Sequence, residues 1–201
     1  MGLPLLNPEL SRADFLAWEA DQAVKHEFLA GEVFAMVGAR QDHVVVSLAI
    51  AARLREHLRG SRCRAYTSDM KLEVQAADAV FYPDVMVSCD EADRQRPLAI
   101  QAPCLVVEVL SESTAAYDLG AKFAAYRLLP SLQEYLLVDI ERRSLEVFRR
   151  QPQGWVLAEP TGEPPVLQQM VEKFEEWRAS ILAVQEVPQD HTRRYGIVAG
   201  A

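Results

Sequence analysis

Two apolar runs in this chain each carry one carboxylate at their centre, and any fold has to accommodate both. Leu105-Val106-Val107-Glu108-Val109-Leu110 is rich in β-branched residues. Its length and composition suit a strand covered on both faces. Twenty-four residues earlier, Phe81-Tyr82-Pro83-Asp84-Val85-Met86-Val87 repeats the pattern. An ionised carboxylate taken out of water without a partner costs roughly several kcal/mol. Each acid therefore needs a cation, a hydrogen-bond network or a metal. Alternation puts Tyr82, Asp84 and Met86 on one face of the first strand, and Val106, Glu108 and Leu110 on one face of the second. If the two strands are neighbours in register, Asp84 and Glu108 share a site.

The rest of the chain supplies a frame for those strands. Ser11 is placed to cap a helix over residues 8–23. His26–Leu29 and Glu32–Met36 read as a β-hairpin turning at Ala30-Gly31, with Glu27, Leu29 and Glu32 on one face if Leu29 lies opposite Glu32. Residues 43–59 have helical spacing, with Val44, Leu48, Ala51, Ala52 and Leu58 placed for burial. Short strands are expected at Arg64–Thr67 and Met70–Val74, and a loop or ragged helix over 89–101. Helical spacing over 118–129 ends at Pro130. Strands follow at 134–140, 145–150 and 155–158. A terminal helix over 168–184 turns Phe174 and Trp177 to one side, the single support for a plain oligomerisation module. The strand–helix–strand unit at 105–140 implies an α/β fold with a mixed central β-sheet flanked by helices. The 201 residues suit one domain, placed at 1–187, with a loosely tied tail at 188–201.

Composition narrows the function classes. The net charge of −8 argues against coating nucleic acid by bulk attraction. No run of about 18 apolar residues is present, so no membrane span or membrane partner is expected. The start of the chain lacks the basic and apolar stretches of a signal peptide, and Leu6 replaces the Ser or Thr of a myristoylation signal. Cys63, Cys89 and Cys104 are few, odd in number and far apart, as reduced thiols in a cytoplasmic protein would be. No GxSxG nucleophile elbow and no phosphate loop occurs.

Two carboxylates at close range raise each other's pKa unless a cation compensates. Mg²⁺ is the natural cation, being bound by one or two carboxylates with water in its other positions. It activates water and neutralises charge on a phosphodiester. Lys122 follows the Glu108 strand on the next helix, from which an amine can reach back over the strand end.

Pro83-Asp84, Val107-Glu108-Val109-Leu110-Ser111, Asp118-Leu119-Gly120 with Lys122 and Tyr126, Glu134-Tyr135 and Val138-Asp139 together resemble the Uma-type restriction-endonuclease family of the PD-(D/E)XK nuclease superfamily. His26-Glu27-Phe28-Leu29-Ala30-Gly31-Glu32 and His43 match its N-terminal pattern. The resemblance covers roughly residues 10–160. It implies a restriction-endonuclease-like fold and a Mg²⁺-dependent endonuclease, with Mn²⁺ as substitute and DNA as substrate. Asp84 and Glu108 take the places of the motif's two acids and metal ligands. The motif's lysine would fall at position 110, where Leu110 stands; the family shows the same departure, and Lys122 supplies the amine. Glu27 adds a further carboxylate. Cutting both strands needs two sites, which suits a homodimer.

Plainer readings stand beside these. Asp118 and Lys122 at i,i+4 can be a solvated helix pair worth about 0.3–0.5 kcal/mol. Tyr126 can simply pack, and His43 can simply open its helix. Arg53, Arg55 and Arg59, with Arg62 and Arg64 beyond, are either a phosphate-contacting edge or a helix end satisfying its dipole. The missing lysine also fits a nuclease-like fold that binds nucleic acid or a protein partner without cutting.

Overall fold

A computed structural model describes residues 5–6, 10–111, 114–142 and 144–158. The expected helix over 168–184 and tail at 188–201 lie outside the described residues.

The central sheet has the strand order β12-β11-β10-β9-β7-β4. These are β4 (Arg64–Thr67), β7 (Val85–Ser88), β9 (Pro103–Leu110), β10 (Glu134–Asp139), β11 (Ser144–Gln151) and β12 (Gly154–Ala158). β9 and β10 run parallel, with Glu108 opposite Leu137, and the other pairs are antiparallel. The expected strand–helix–strand unit is therefore present. The mixed α/β class holds, with one addition: a second sheet, ordered β1-β3-β2-β6-β5-β8. Its strands are β1 (Leu5–Leu6), β2 (His26–Leu29), β3 (Glu32–Ala35), β5 (Lys71–Val74), β6 (Ala79–Phe81) and β8 (Ala99–Ile100).

One strand expected over 81–87 is in fact two. β6 ends at Phe81 and β7 begins at Val85, so Tyr82-Pro83-Asp84 is the link by which the chain passes between sheets. Pro83 has no N–H to give a ladder, which makes a break there physically natural. The consequence for function is that Asp84 stands at the junction of the sheets rather than inside a ladder.

Among the described residues, each face of the central sheet carries one helix. On one side α2 (Gln41–His57) sets Val46, Ile50 and Leu54 against Val85, Val87, Val107, Val109, Leu136 and Val138. Complete burial of Leu54 alone is worth about 1.5–3 kcal/mol. The stripe that packs is thus 46/50/54. Val44 and Leu48, expected inside, are exposed instead. The first turns of α2 are apolar on more than one face, so spacing alone does not choose between them. On the other side Met86, Val106, Tyr135 and Leu137 meet Tyr126, Leu129 and Leu132. Strand alternation then sends Glu108 to this second side.

The hairpin pairs as the sequence suggested, with Leu29 opposite Glu32. Its two turn residues both have positive φ, 47° at Ala30 and 88° at Gly31. This is the backbone of a tight hairpin turn, and it disfavours a residue with a Cβ at Ala30. Ala30→Gly is expected to stabilise the protein by about 0.5–1 kcal/mol, read as a higher urea midpoint with unchanged slope. The helix α1 (Arg12–Glu19) is shorter than expected, and Ser11 caps it by accepting from the Asp14 N–H.

The cysteines depart from expectation. Cys63 and Cys89 are joined by a disulfide, and the Cys104 sulfur lies 3.7 Å from that of Cys89. Antiparallel pairing of Arg64 with Ser88 brings the flanking Cys63 and Cys89 together, a contact invisible at a separation of 26 residues. Among the described residues no helix is long and apolar enough to cross a membrane.

Candidate active site

The third helical segment is what completes the site. It runs as Ala115–Tyr117, a π turn at Asp118–Lys122 and Phe123–Tyr126, here together α3. π turns are rare, and they concentrate at functional positions. Inside this one the Asp118 carbonyl accepts the Tyr135 hydroxyl proton at 2.9 Å. That bond ties the turn to β10, beside the strand carrying Glu108.

Lys122 is buried, and its ammonium sits 3.0 Å from Glu27 Oε1, 3.2 Å from Glu108 Oε1 and 3.3 Å from Asp118 Oδ1. Three N–H donors thus meet three carboxylates, the full donor capacity of a lysine. Tyr126 donates its hydroxyl proton to Glu108 Oε1 at 2.8 Å, and the Asp84 N–H points at Glu108 Oε2 at 3.3 Å. Asp84 in turn accepts the Val109 N–H at 2.8 Å and lies 3.2 Å from His43 Nε2. Glu27 accepts the Tyr82 N–H at 3.1 Å. Asp84, Glu108, Lys122 and Glu27 therefore occupy one site. His43 and Tyr126, whose plainer readings were helix opening and packing, belong to it.

The electrostatics reflect crowding. Burial pushes the Glu108 carboxyl well above its ordinary range, and Asp118, Asp84 and Glu27 add to this while Lys122 works against it. Burial likewise raises Glu27 and Asp118, each partly offset by Lys122. For Lys122 burial favours the neutral amine, but Glu108, Glu27 and Asp118 outweigh it and hold the ammonium charged well above the usual lysine range. The bond to Asp84 raises His43 against its partial burial. Four acidic side chains thus crowd around Lys122 and the His43 ring.

These residues line a cavity of 960 Å³ walled by the β3–α2 connector, the first turns of α2 and the ends of β9 and β10. Among the described residues no three His, Cys, Asp or Glu side chains form a ready-made metal cage. What the cavity offers is Asp84 and Glu108 together in its lining, the Asp84 N–H 3.3 Å from Glu108 Oε2, among more acidic than basic side chains. This fits Mg²⁺, which takes one or two carboxylates and keeps water for the rest.

The arginines are not brought to the site. Arg53 and Arg55 are on the distal turns of α2 and Arg59 lies past its end; all are exposed, and Arg53 pairs with Glu56 at 3.3 Å. Arg53 is ten residues, about 15 Å of helix, beyond His43. Among the described residues, the lysine and arginine side chains that line the cavity are Lys25, Arg40 and Lys122. Nothing in the sequence marked Lys25 or Arg40; each borders an element that forms the cavity wall only in the folded chain. Tyr135 was also missed as a support of the site, since a buried tyrosine in a strand reads as core.

The fold places the protein among restriction-endonuclease-like α/β proteins. The fold is similar to a crystal structure of "a putative nuclease belonging to DUF820" from Anabaena variabilis ATCC 29413, with a TM-score of 0.66 at 15% identity, over 84% of this chain and 99% of that one. The chain belongs to the Uma2 family, described as "Putative restriction endonuclease", whose model matches residues 12–185. Two relatives come from Synechocystis sp. (strain ATCC 27184 / PCC 6803 / Kazusa). The "Uncharacterized protein slr1290" is 40% identical over 75% of this chain and 80% of its own length. The "Uncharacterized protein sll1609" is 34% identical over 77% of this chain and 89% of its own.

Proposed function

We propose that this protein is a Mg²⁺-dependent endonuclease that hydrolyses phosphodiester bonds in DNA, with Mn²⁺ able to substitute. The observation that carries the reading is the meeting of Asp84 and Glu108 at one cavity whose lining holds more acidic than basic side chains. Asp84 and Glu108 would hold the ion. Bound there, it would supply an activated water and offset charge on the phosphate.

The chain's own residues do the positioning. Tyr126 and Lys122 both bond Glu108 Oε1, which leaves Oε2 as the oxygen nearer Asp84. The Val109 N–H and His43 fix the Asp84 carboxylate. Lys122 stays charged and has its donors engaged, so it acts through Glu108 as a fixed counter-charge rather than as a base. Glu27 holds Lys122 from the second sheet and thereby joins the two sheets at the site. A homodimer would supply the two sites that cutting both strands requires.

Asp84→Asn keeps an acceptor for the Val109 N–H while removing the charge. It is expected to abolish Mg²⁺-dependent nicking of supercoiled plasmid, by at least about a thousandfold if Asp84 carries the ion. Cleavage at the wild-type rate would overturn the assignment. A second reading, a nuclease fold that binds nucleic acid without cutting, draws support from Lys122, whose three protons are all committed to carboxylates, and from Leu110, which has none to offer. Calorimetric titration with Mg²⁺ and Mn²⁺ separates the two: no heat at millimolar ion favours the binder.

A further inference from the structure

The floor of the cavity is acidic, but one of its walls is not. Val37 is 66% exposed, Val44 52% and Leu48 65%, and all three line the cavity. Val44 and Leu48 stand one turn apart on α2, and Val37 comes from the connector Met36-Val37-Gly38-Ala39-Arg40 before it. Apolar side chains gathered in the open beside a polar site mark a surface that meets something apolar.

The cavity's cations are mostly engaged. Lys122 is committed to three carboxylates. Lys25 is paired with Asp69 and bonded to the Ser68 carbonyl. Arg40 is the most available, 81% exposed and 3.8 Å from Asp42. A duplex binder gains its affinity from many phosphate contacts along a basic track. Among its described residues this cavity offers an incoming strand one or two. The missing affinity must come from elsewhere, and the apolar wall is what is present. Nucleobases have apolar faces, but in an intact duplex those faces are stacked on one another. Only an unpaired or unstacked nucleotide can lay its base against Val37, Val44 and Leu48.

We infer that the substrate of this site is single-stranded or locally unpaired nucleic acid, gripped chiefly through base faces on the Val37–Val44–Leu48 wall and only lightly through phosphate. This rests on the nuclease reading given above and specifies its substrate.

The test is fluorescence anisotropy with a labelled single-stranded oligodeoxynucleotide of about 12 nucleotides, within the span of known single-strand sites, and with the blunt duplex of the same sequence. Ca²⁺ replaces Mg²⁺ so that binding is read without cleavage. The single strand is expected to bind about tenfold tighter than the duplex. Its log–log salt slope is expected at about −0.7 to −1.4, since each of the one or two phosphates neutralised on a single strand contributes about −0.7. The double variant Val44→Ser/Leu48→Ser alters neither the acids nor their partners. It is expected to weaken single-strand binding about tenfold or more, as the loss of two apolar contacts implies, and to leave the salt slope unchanged.

Tighter binding of the duplex, a slope steeper than about −4, or an indifferent double variant would each overturn the inference. If plasmid is nicked in an Asp84-dependent way while single strands are not preferred, only the substrate assignment fails. If neither nucleic acid binds and no divalent ion binds, both readings fail together.

Discussion

Lys122→Met is expected to destabilise the fold by about 3–5 kcal/mol at neutral pH, the usual result of removing one partner from a buried ionic cluster. Methionine matches the length of the aliphatic stem, so the loss comes from charge rather than from an emptied volume. Without the ammonium, Glu27, Glu108 and Asp118 remain buried with each other and with Asp84 as neighbours. Their folded pKa values are already raised in the wild type, and in the variant they rise further. A carboxyl whose pKa is higher folded than unfolded binds more protons in the folded state between the two values. Stability therefore falls as pH climbs from the unfolded value, about 4 for these groups, through the folded one.

For Lys122 the sign is different. Its folded pKa is raised well above the lysine range, so its contribution is complete below about 10.5 and is lost only at more alkaline pH. Between pH 5 and 8 the wild type thus keeps its ammonium, while the variant's buried acids hold protons that its unfolded chain has released. Urea denaturation at the two ends of that range is expected to show the larger deficit at pH 8. An equal loss at both would mean that Lys122 serves packing rather than charge.

How much of this was legible beforehand depends on whether the signal is local. The acids were visible because a carboxylate among aliphatic strand residues is an energetic anomaly wherever the strand ends up. The hairpin was visible because Ala30-Gly31 punctuates two short alternating runs. Lys122 was visible as an i,i+4 partner of Asp118, although spacing alone could not say whether that helix face was wet or buried. The π turn that buries it depends on a hydroxyl from Tyr135, 17 residues on from the Asp118 carbonyl it bonds. His43 was ambiguous for the same reason: a residue that opens a helix meets Asp84 only once α2 has docked on the sheet. The break at Pro83 was written in the sequence and still read through, because the flanking residues are all strand formers. In α2 two apolar faces compete, and only the docked sheet selects Val46, Ile50 and Leu54 over Val44 and Leu48. The disulfide and the position of the arginines are properties of the packed elements, and no short-range pattern encodes them.

Glu108→Gln is expected to separate catalysis from stability, and the two effects should run against the usual direction for a buried residue. The amide keeps an oxygen for Lys122 and Tyr126, which both bond Glu108 Oε1. It loses the longer bond from the Asp84 N–H, a neutral-to-charged contact of 3.3 Å, worth about 1 kcal/mol. Against that loss it removes an acidic group whose charge burial, Asp118, Asp84 and Glu27 all oppose. The ion-free variant should therefore be within about 1 kcal/mol of wild type, or more stable, rather than several kcal/mol worse. With Mg²⁺ present the order should invert. An ion that binds only the folded state stabilises it by about 2.7 kcal/mol at a hundred times its dissociation constant. For a protein of this size that is a rise of roughly 5–10 °C in the thermal midpoint. The wild type should show that rise and Glu108→Gln should not, while plasmid nicking falls by at least about a thousandfold. Thermal scans of both proteins with Mg²⁺ and with a chelator read the comparison directly. An equal Mg²⁺ shift in the two would remove Glu108 from the ion's coordination, and a large ion-free loss would make it a structural member of the Lys122 network alone.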